Sequence, residues 1–122
     1  MPITNFLHAA LVVTDLNQAK YFYSNVLGLS EVERSLKYPG VWYQVGDFQL
    51  HLVTSSTPLV AAVKIEKLGR NRHLAFAVTQ LDAVKSRLEA HGFPVQMSAS
   101  GRPALFTQDP DQNVIELGEI ST

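Results

Sequence analysis

Two similar stretches of the sequence decide the fold: HAALVVTDLNQAK at residues 8–20 and HLAFAVTQLDAVK at residues 73–85. Six of their thirteen aligned positions are identical, and the offset between them is 65 residues (73 − 8). The same offset relates His51, in FQLHLV, to Glu116, in NVIELG. Because one polar residue interrupts each apolar run in a single register, the sequence indicates an internal duplication.

Each half of the chain shows the same order of predicted elements, βαβββ. Apolar, β-rich runs bounded by turn residues predict the strands, and apolar residues at helical spacing predict one helix per half. Asp15 is the expected N-cap of the first helix, and Gly28 and Gly92 follow the two helices where a left-handed residue is favoured. The first half is predicted to hold strands at 6–13, 29–36, 42–45 and 48–53 and a helix at 16–27. The second half is predicted to hold strands at 73–79, 94–99, 104–108 and 113–118 and a helix at 81–91.

The predicted fold is therefore α+β, a single domain of residues 1–122 made of two βαβββ modules. Module 1 covers about residues 1–57, module 2 about residues 73–122, and a connector spans about residues 54–72. If the two mixed sheets curl toward each other, they enclose a cleft. Side chains alternate along a strand, so the polar residues at 8, 51, 73 and 116 all lie opposite the faces expected to pack on the helices.

The polar residues predicted to line this cleft have the chemistry of a metal site. Three imidazoles and one carboxylate, from His8, His51, His73 and Glu116, suit a divalent ion such as Fe, Ni, Zn, Mn or Co. Four protein ligands on an octahedral ion leave two positions for two neighbouring oxygens of a substrate. Without a partner, a carboxylate at Glu116 among apolar neighbours is costly to bury.

Composition excludes several other classes of function. The chain has 122 residues, no cysteine and a net charge of −1 without any block of like charge. Nucleic-acid binding, which needs a clustered basic face, is not expected. Disulfides and thiolate ligands are absent from the sequence, and no apolar run is long enough to span a membrane. The N-terminal residues do not read as a signal peptide, so a cytoplasmic protein is the expectation.

The duplicated βαβββ unit, the histidines at 8 and 73 and the stretch DPDQNVIEL at 109–117 resemble the vicinal oxygen chelate superfamily. This superfamily includes glyoxalase, extradiol dioxygenases, methylmalonyl-CoA epimerase, fosfomycin-resistance transferases and bleomycin resistance proteins, and the resemblance covers nearly the whole chain. It implies that metal ligands come from the first and last strand of each module, and it implies a homodimer. Two positions depart from the family pattern: Gln112 stands where glycine is frequent, and His51 where glyoxalases usually have a carboxylate or amide.

Roles for the individual residues follow as hypotheses. Glu116 and His51 are the candidate catalytic residues, acting as acid or base near the metal. Gln49 shares a face with His51, and one of Trp42 and Tyr43 is expected to face the cleft. We take Gln49, Trp42 and Arg102 as candidates for substrate binding, although a solvated loop arginine is the alternative for Arg102.

Two classes of function stay open at this stage. The first is a metal-dependent enzyme that binds a small substrate through two adjacent oxygens. Its reaction is either a lyase or isomerase proton transfer or a ring-cleaving dioxygenation. The second is a non-catalytic protein that sequesters a drug or another ligand. Four firm ligands leave too few positions for both a catechol and O₂, so tight ligation by His51 favours the first reaction type.

Overall fold

The structure is a computed structural model that describes residues 2–34, 37–57 and 63–120. Contacts between Cα atoms divide the chain into two compact units, Met1–Leu59 and Val60–Thr122. In the described residues no helix is both long and apolar enough to cross a membrane.

The first unit is a four-stranded mixed sheet with one helical segment. Its strand order is β1-β4-β3-β2, in which β1 runs parallel to β4 and the other pairs are antiparallel. The elements are β1 (His8–Val13), α1 (Leu16–Lys20) continuing into a π-helical segment (Tyr21–Val26), β2 (Ser30–Val32), β3 (Gly40–Val45) and β4 (Phe48–Thr54).

The second unit repeats this topology. Its elements are a 3₁₀ segment (Ile65–Arg70), β5 (His73–Val78), α2 (Leu81–Ala90), β6 (Gln96–Met97), β7 (Ala104–Gln108) and β8 (Val114–Glu119). The strand order is β5-β8-β7-β6, with a parallel β5–β8 pair. The prediction of an α+β fold with two βαβββ modules is confirmed, and neither sheet closes into a barrel.

Strand register supports the duplication. Ala10 is paired with His51 in the first sheet, and Ala75 is paired with Glu116 in the second. The pair Ala75–Glu116 is offset by 65 residues from the pair Ala10–His51. The two sheets therefore hold His51 and Glu116 at equivalent positions in the strand pairing. A strand register that slipped by one residue would turn these side chains to the opposite face.

The first helix begins as the sequence predicts and then changes its pitch. The Asp15 carboxylate accepts a hydrogen bond from the Gln18 amide at 3.1 Å, and Gly28 follows the helix with φ of +78°. In the second half, the Leu27 amide donates to the Phe22 carbonyl, five residues back, at 2.9 Å. Phe22 and Tyr23, both in this π-helical segment, are fully buried.

Two predicted strands are much shorter in the structure, and the predicted connector contains a 3₁₀ segment that the sequence did not predict. The strand expected at 29–36 covers only Ser30–Val32, and residues 35–36 lie outside the described residues. The strand expected at 94–99 is reduced to Gln96–Met97. Within the predicted connector, the 3₁₀ segment packs its Leu68 into a small apolar cluster with Phe106 and Val114. Apolar burial thus draws the end of the connector onto the second sheet.

The turn between β7 and β8 is held by one buried carboxylate. Asp109, 4% exposed, accepts hydrogen bonds from the amides of Asp111 and Asn113 and from the Asn113 side chain. Gln112 adopts φ of +67°, a left-handed conformation that favours glycine, the residue that the resemblance leads us to expect here. Asp109 therefore has a structural role, since its oxygens are all directed at the turn.

Tyr43 gives the first testable prediction. Its ring is fully buried, its hydroxyl lies 2.7 Å from Ser24 Oγ, and burial raises the pKa of the phenol above 10.0. Above pH of about 10 the unfolded chain loses this proton while the folded chain keeps it, so the free energy of unfolding falls as pH rises. Tyr43→Phe is expected to cost about 1 kcal/mol at pH 7 and to reduce the alkaline loss of stability.

Urea unfolding at pH 7 and at about pH 10.5 measures both effects. Tyr38→Phe is the control, because Tyr38 is 55% exposed and its ring is retained. An alkaline slope that is the same in wild type and Tyr43→Phe would contradict the prediction.

Candidate functional site

The first unit brings two of the predicted ligands side by side. His8 on β1 and His51 on β4 lie on the same face of the sheet, and their rings stack with centroids 4.1 Å apart and planes 13° from parallel. The parallel register, in which His8 pairs with Gln49, makes His51 its diagonal neighbour. Two imidazole edges are therefore presented together on the sheet face opposite to the one that carries the buried Leu50 and Leu52.

Two of the predicted substrate-binding residues contact His51. The Trp42 ring stacks against His51 at 4.3 Å, nearly parallel, whereas its neighbour Tyr43 is fully buried. Gln49 Oε1 lies 2.8 Å from His51 Nε2. Trp42 is thus the member of the Trp42–Tyr43 pair on the histidine face, and both it and Gln49 support the imidazole directly.

The surroundings of His51 favour its neutral form. Burial lowers the pKa of His51 below 6.5, and the positive charges of His8 and Arg34 lower the pKa further. A histidine must be neutral at the ligating nitrogen to bind a metal. The first unit therefore keeps His51 available as a ligand or a base near neutral pH.

The second unit brings together the other two predicted ligands. His73 Nε2 on β5 lies 3.1 Å from Glu116 Oε1 on β8, and Glu116 is only 9% exposed. On the other side of the ring, His73 Nδ1 lies 2.7 Å from the Asn71 carbonyl. Because a carbonyl only accepts, Nδ1 carries a hydrogen, which directs the Nε2 edge of His73 toward Glu116.

Arg102 is also part of this cluster. Its Nη1 donates to Glu116 Oε2 at 3.2 Å, and its Nε donates to Ser100 Oγ at 3.1 Å. The side chain of Arg102 is 58% exposed, so the ion pair is partly screened by solvent. Glu116 thereby has a hydrogen-bond partner on each oxygen, and Arg102 lies beside Glu116.

The donor atoms of the second unit fit a metal ion in their chemistry and spacing. Two ligand atoms about 2.1 Å from one ion and at right angles to each other are about 3 Å apart, close to the 3.1 Å between His73 Nε2 and Glu116 Oε1. The bond from His73 to the Asn71 carbonyl is the outer contact that metal-binding histidines commonly make. Across residues 2–34, 37–57 and 63–120, however, no group of three or more histidine, aspartate or glutamate side chains is placed to hold a metal ion.

Two residues that support the site were not predicted from the sequence. Arg34 packs its guanidinium 5.8 Å from the Trp42 ring centroid and 5.3 Å from that of Tyr38, and its Nη1 donates to the Tyr38 carbonyl. Asn71 closes a loop through its side chain, which bonds to the backbone of Lys64 and Leu68. Asn71 lies two residues before His73 in the sequence, whereas Arg34 is far from the site residues in sequence and reaches the site through side-chain stacking.

With this geometry in place, comparison with known proteins identifies the family. The sequence model of the Glyoxalase/Bleomycin resistance protein/Dioxygenase superfamily matches residues 5–117. The chain belongs to this superfamily, which confirms the resemblance seen in the sequence. The family includes enzymes and also proteins without catalytic activity, so membership alone leaves the reaction open.

Three relatives illustrate the similarity, and two of them have a stated function. The chain is 31% identical to the uncharacterized protein YaeR of Escherichia coli (strain K12), over 92% of this chain and 93% of that protein. It is 26% identical to the mitochondrial methylmalonyl-CoA epimerase of Homo sapiens, over 85% of this chain but only 66% of the epimerase. It is 27% identical to TnmS3, an antibiotic binding protein from Streptomyces sp. CB03234, with a TM-score of 0.72 and 99% of both chains covered.

Proposed function

We propose that this protein is a divalent-metal-dependent enzyme that binds a small substrate through two adjacent oxygens and catalyses a lyase- or isomerase-type proton transfer. One observation carries the proposal: the diagonal pair His8–His51 and the diagonal pair His73–Glu116 occupy equivalent positions of two duplicated sheets. The four residues are the proposed ligands. The similarity to an epimerase supports the reaction type.

Each residue of the proposed site has its own proposed role in the reaction. A bound divalent ion would act as a Lewis acid toward a substrate carbonyl. Glu116, a carboxylate with two hydrogen-bond partners, is proposed to accept the proton from the carbon next to that carbonyl. His51, which its surroundings keep neutral, is proposed as the second acid–base group. Arg102, Gln49 and Trp42 are proposed to line the substrate site, with Arg102 binding an anionic group of the substrate.

A second candidate function is sequestration of a ligand without catalysis. The ion pair between Arg102 and Glu116 favours it, because the carboxylate already has a cationic partner without a metal. The similarity to TnmS3 points the same way. In this alternative the histidine face would bind a planar or anionic molecule, and metal would be irrelevant to binding.

Metal content separates the two functions and gives the second prediction. Protein purified without added metal or chelator is expected to contain a divalent ion, and chelator-stripped protein is expected to regain about one ion per set of four ligands in calorimetric titration. His8→Ala and His73→Ala are expected to lose this binding. His91→Ala is the matched control, because His91 lies at the end of α2, outside both pairs.

A metal content near zero that no divalent ion restores would overturn the enzyme proposal and favour sequestration. Reconstitution with Fe²⁺ under anaerobic conditions, followed by O₂ uptake with a catechol, tests the dioxygenase alternative. A homodimer is also proposed from the family resemblance. Light scattering measures it, and mixing His8→Ala with His73→Ala protein tests whether two chains share one site, since restored binding requires ligands from both.

A further inference from the structure

We propose that Gln44 and Gln49 form a hydrogen-bond relay that holds the proton of His51 on Nε2, so that His51 offers Nδ1 as its free nitrogen. The role in metal binding rests on the proposed function, whereas the position of the proton does not. Neither glutamine is a proposed ligand. Both are positioning residues, acting through the imidazole of His51.

The relay starts from the backbone of the hairpin between β3 and β4. Gln44 Nε2 donates to the Gly46 carbonyl at 2.8 Å and to the Phe48 carbonyl at 3.3 Å. Because carbonyl oxygens only accept, these two contacts determine which end of the Gln44 amide carries the nitrogen. Gln44 Oε1 is therefore the atom that faces the next residue.

In each later hydrogen bond, the contact before it determines which group donates and which accepts. Gln49 Nε2 donates to Gln44 Oε1 at 3.2 Å, which leaves Gln49 Oε1 facing His51. That oxygen lies 2.8 Å from His51 Nε2 and also only accepts, so Nε2 must carry the hydrogen. In a neutral imidazole the lone pair is then on Nδ1.

The two units place the carbonyl acceptor of their histidine on different ring nitrogens. In the second unit His73 Nδ1 donates to the Asn71 carbonyl, which leaves the Nε2 edge facing Glu116. In the first unit the relay leaves Nδ1 of His51 for a metal ion or a proton. Backbone carbonyls orient both histidines, in one case directly and in the other through two amide side chains.

Nuclear magnetic resonance of the ¹⁵N-labelled, metal-free protein tests the relay. Long-range correlations of the His51 ring, recorded above the pH at which the histidines titrate, report which nitrogen carries the hydrogen. Wild-type protein is expected to give the Nε2–H pattern. Gln49→Leu and Gln44→Leu are expected to give mixed tautomers, because the first removes the acceptor and the second frees the Gln49 amide to turn. Gln18→Leu, an exposed glutamine of α1 in the same unit, is the control and is expected to keep the wild-type pattern.

A wild-type ring with its hydrogen on Nδ1, or a Gln49→Leu ring unchanged from wild type, would overturn the relay. Calorimetric titration of the same variants with Zn²⁺ then tests the link to metal. Gln49→Leu is expected to bind the ion about tenfold more weakly than wild type, a typical effect of losing an outer contact. If wild type gives the Nε2–H pattern but binds no metal, the relay stands and the proposed function fails.

Discussion

Glu116→Gln is expected to weaken binding of a divalent ion by about 100-fold or more. Glutamine keeps the size of the side chain and one acceptor oxygen, but it removes the only carboxylate among the four proposed ligands. Loss of an outer-shell partner alone costs 10- to 100-fold in metal affinity, as an order of magnitude. Calorimetric titration of chelator-stripped protein with Zn²⁺ or Ni²⁺ measures the change.

Glu119→Gln is the matched control for this experiment. Glu119 lies on the same strand, three residues along, and its carboxylate accepts a hydrogen bond from the Leu81 amide at the start of α2. It is expected to lower stability slightly and to leave metal affinity unchanged. Wild-type affinity in folded Glu116→Gln would show that this carboxylate does not ligate the ion.

Arg102→Met tests how the ion pair with Glu116 affects metal binding. Its guanidinium places positive charge 3.2 Å from Glu116 Oε2, so its removal is expected to strengthen cation binding severalfold while weakening binding of an anionic substrate. These opposite signs distinguish a substrate-binding arginine from a ligand-supporting one. Weaker metal binding in Arg102→Met would mean that Arg102 orients the carboxylate for the metal.

Gly69→Ala is expected to lower the free energy of unfolding by about 1–3 kcal/mol. A Cβ at this position would lie 2.7 Å from Phe106 Cζ, closer than real contacts allow. The ring cannot move away cheaply, because Phe106 is 8% exposed and packs with Leu68 and Val114. Urea unfolding measures the loss.

Gly118→Ala provides the control for the Gly69 variant. It introduces the same methyl group, in β8 of the same unit, where nothing lies within 4 Å of the added Cβ. Its stability is expected to remain close to wild type or to rise slightly, since alanine reduces the entropy of the unfolded chain. Equal stabilities of the two variants would contradict the close approach of the 3₁₀ segment to Phe106. Because Phe106 meets His73 edge to face at 5.4 Å, a change in the His73 ring resonances is expected only in Gly69→Ala.

Local features of the sequence predicted the elements well where one residue type has a single physical use. Asp15 caps its helix because a short carboxylate reaches the free amide of Gln18. Gly28 and Gly92 follow the helices because only glycine adopts a left-handed conformation without strain. The π-helical turns at Tyr21–Val26 were not foreseen, since apolar residues spaced three and four apart are equally expected of an ordinary α-helix.

Part of the candidate site was predictable from the alternation of side chains along the strands. Alternation along strands put His8 with His51 and His73 with Glu116, and both pairs are in contact within their units. Other contacts that support these residues come from loops outside the paired strands. Arg34 over Trp42 and the carbonyl of Asn71 on His73 depend on where loops return to the sheet, which periodicity does not encode.

The sequence by itself determined that the chain contains an internal duplication in which equivalent polar residues lie 65 positions apart. It also determined which residues share a face of a strand. These properties follow from covalent order and from the two-residue repeat of an extended strand. Only the tertiary structure decided which polar groups bond to each other, such as His51 with Gln49 and Arg102 with Glu116. Hydrogen bonds depend on distances and angles between individual atoms, and those are set only when the strands pair, the loops pack and the side chains adopt their rotamers.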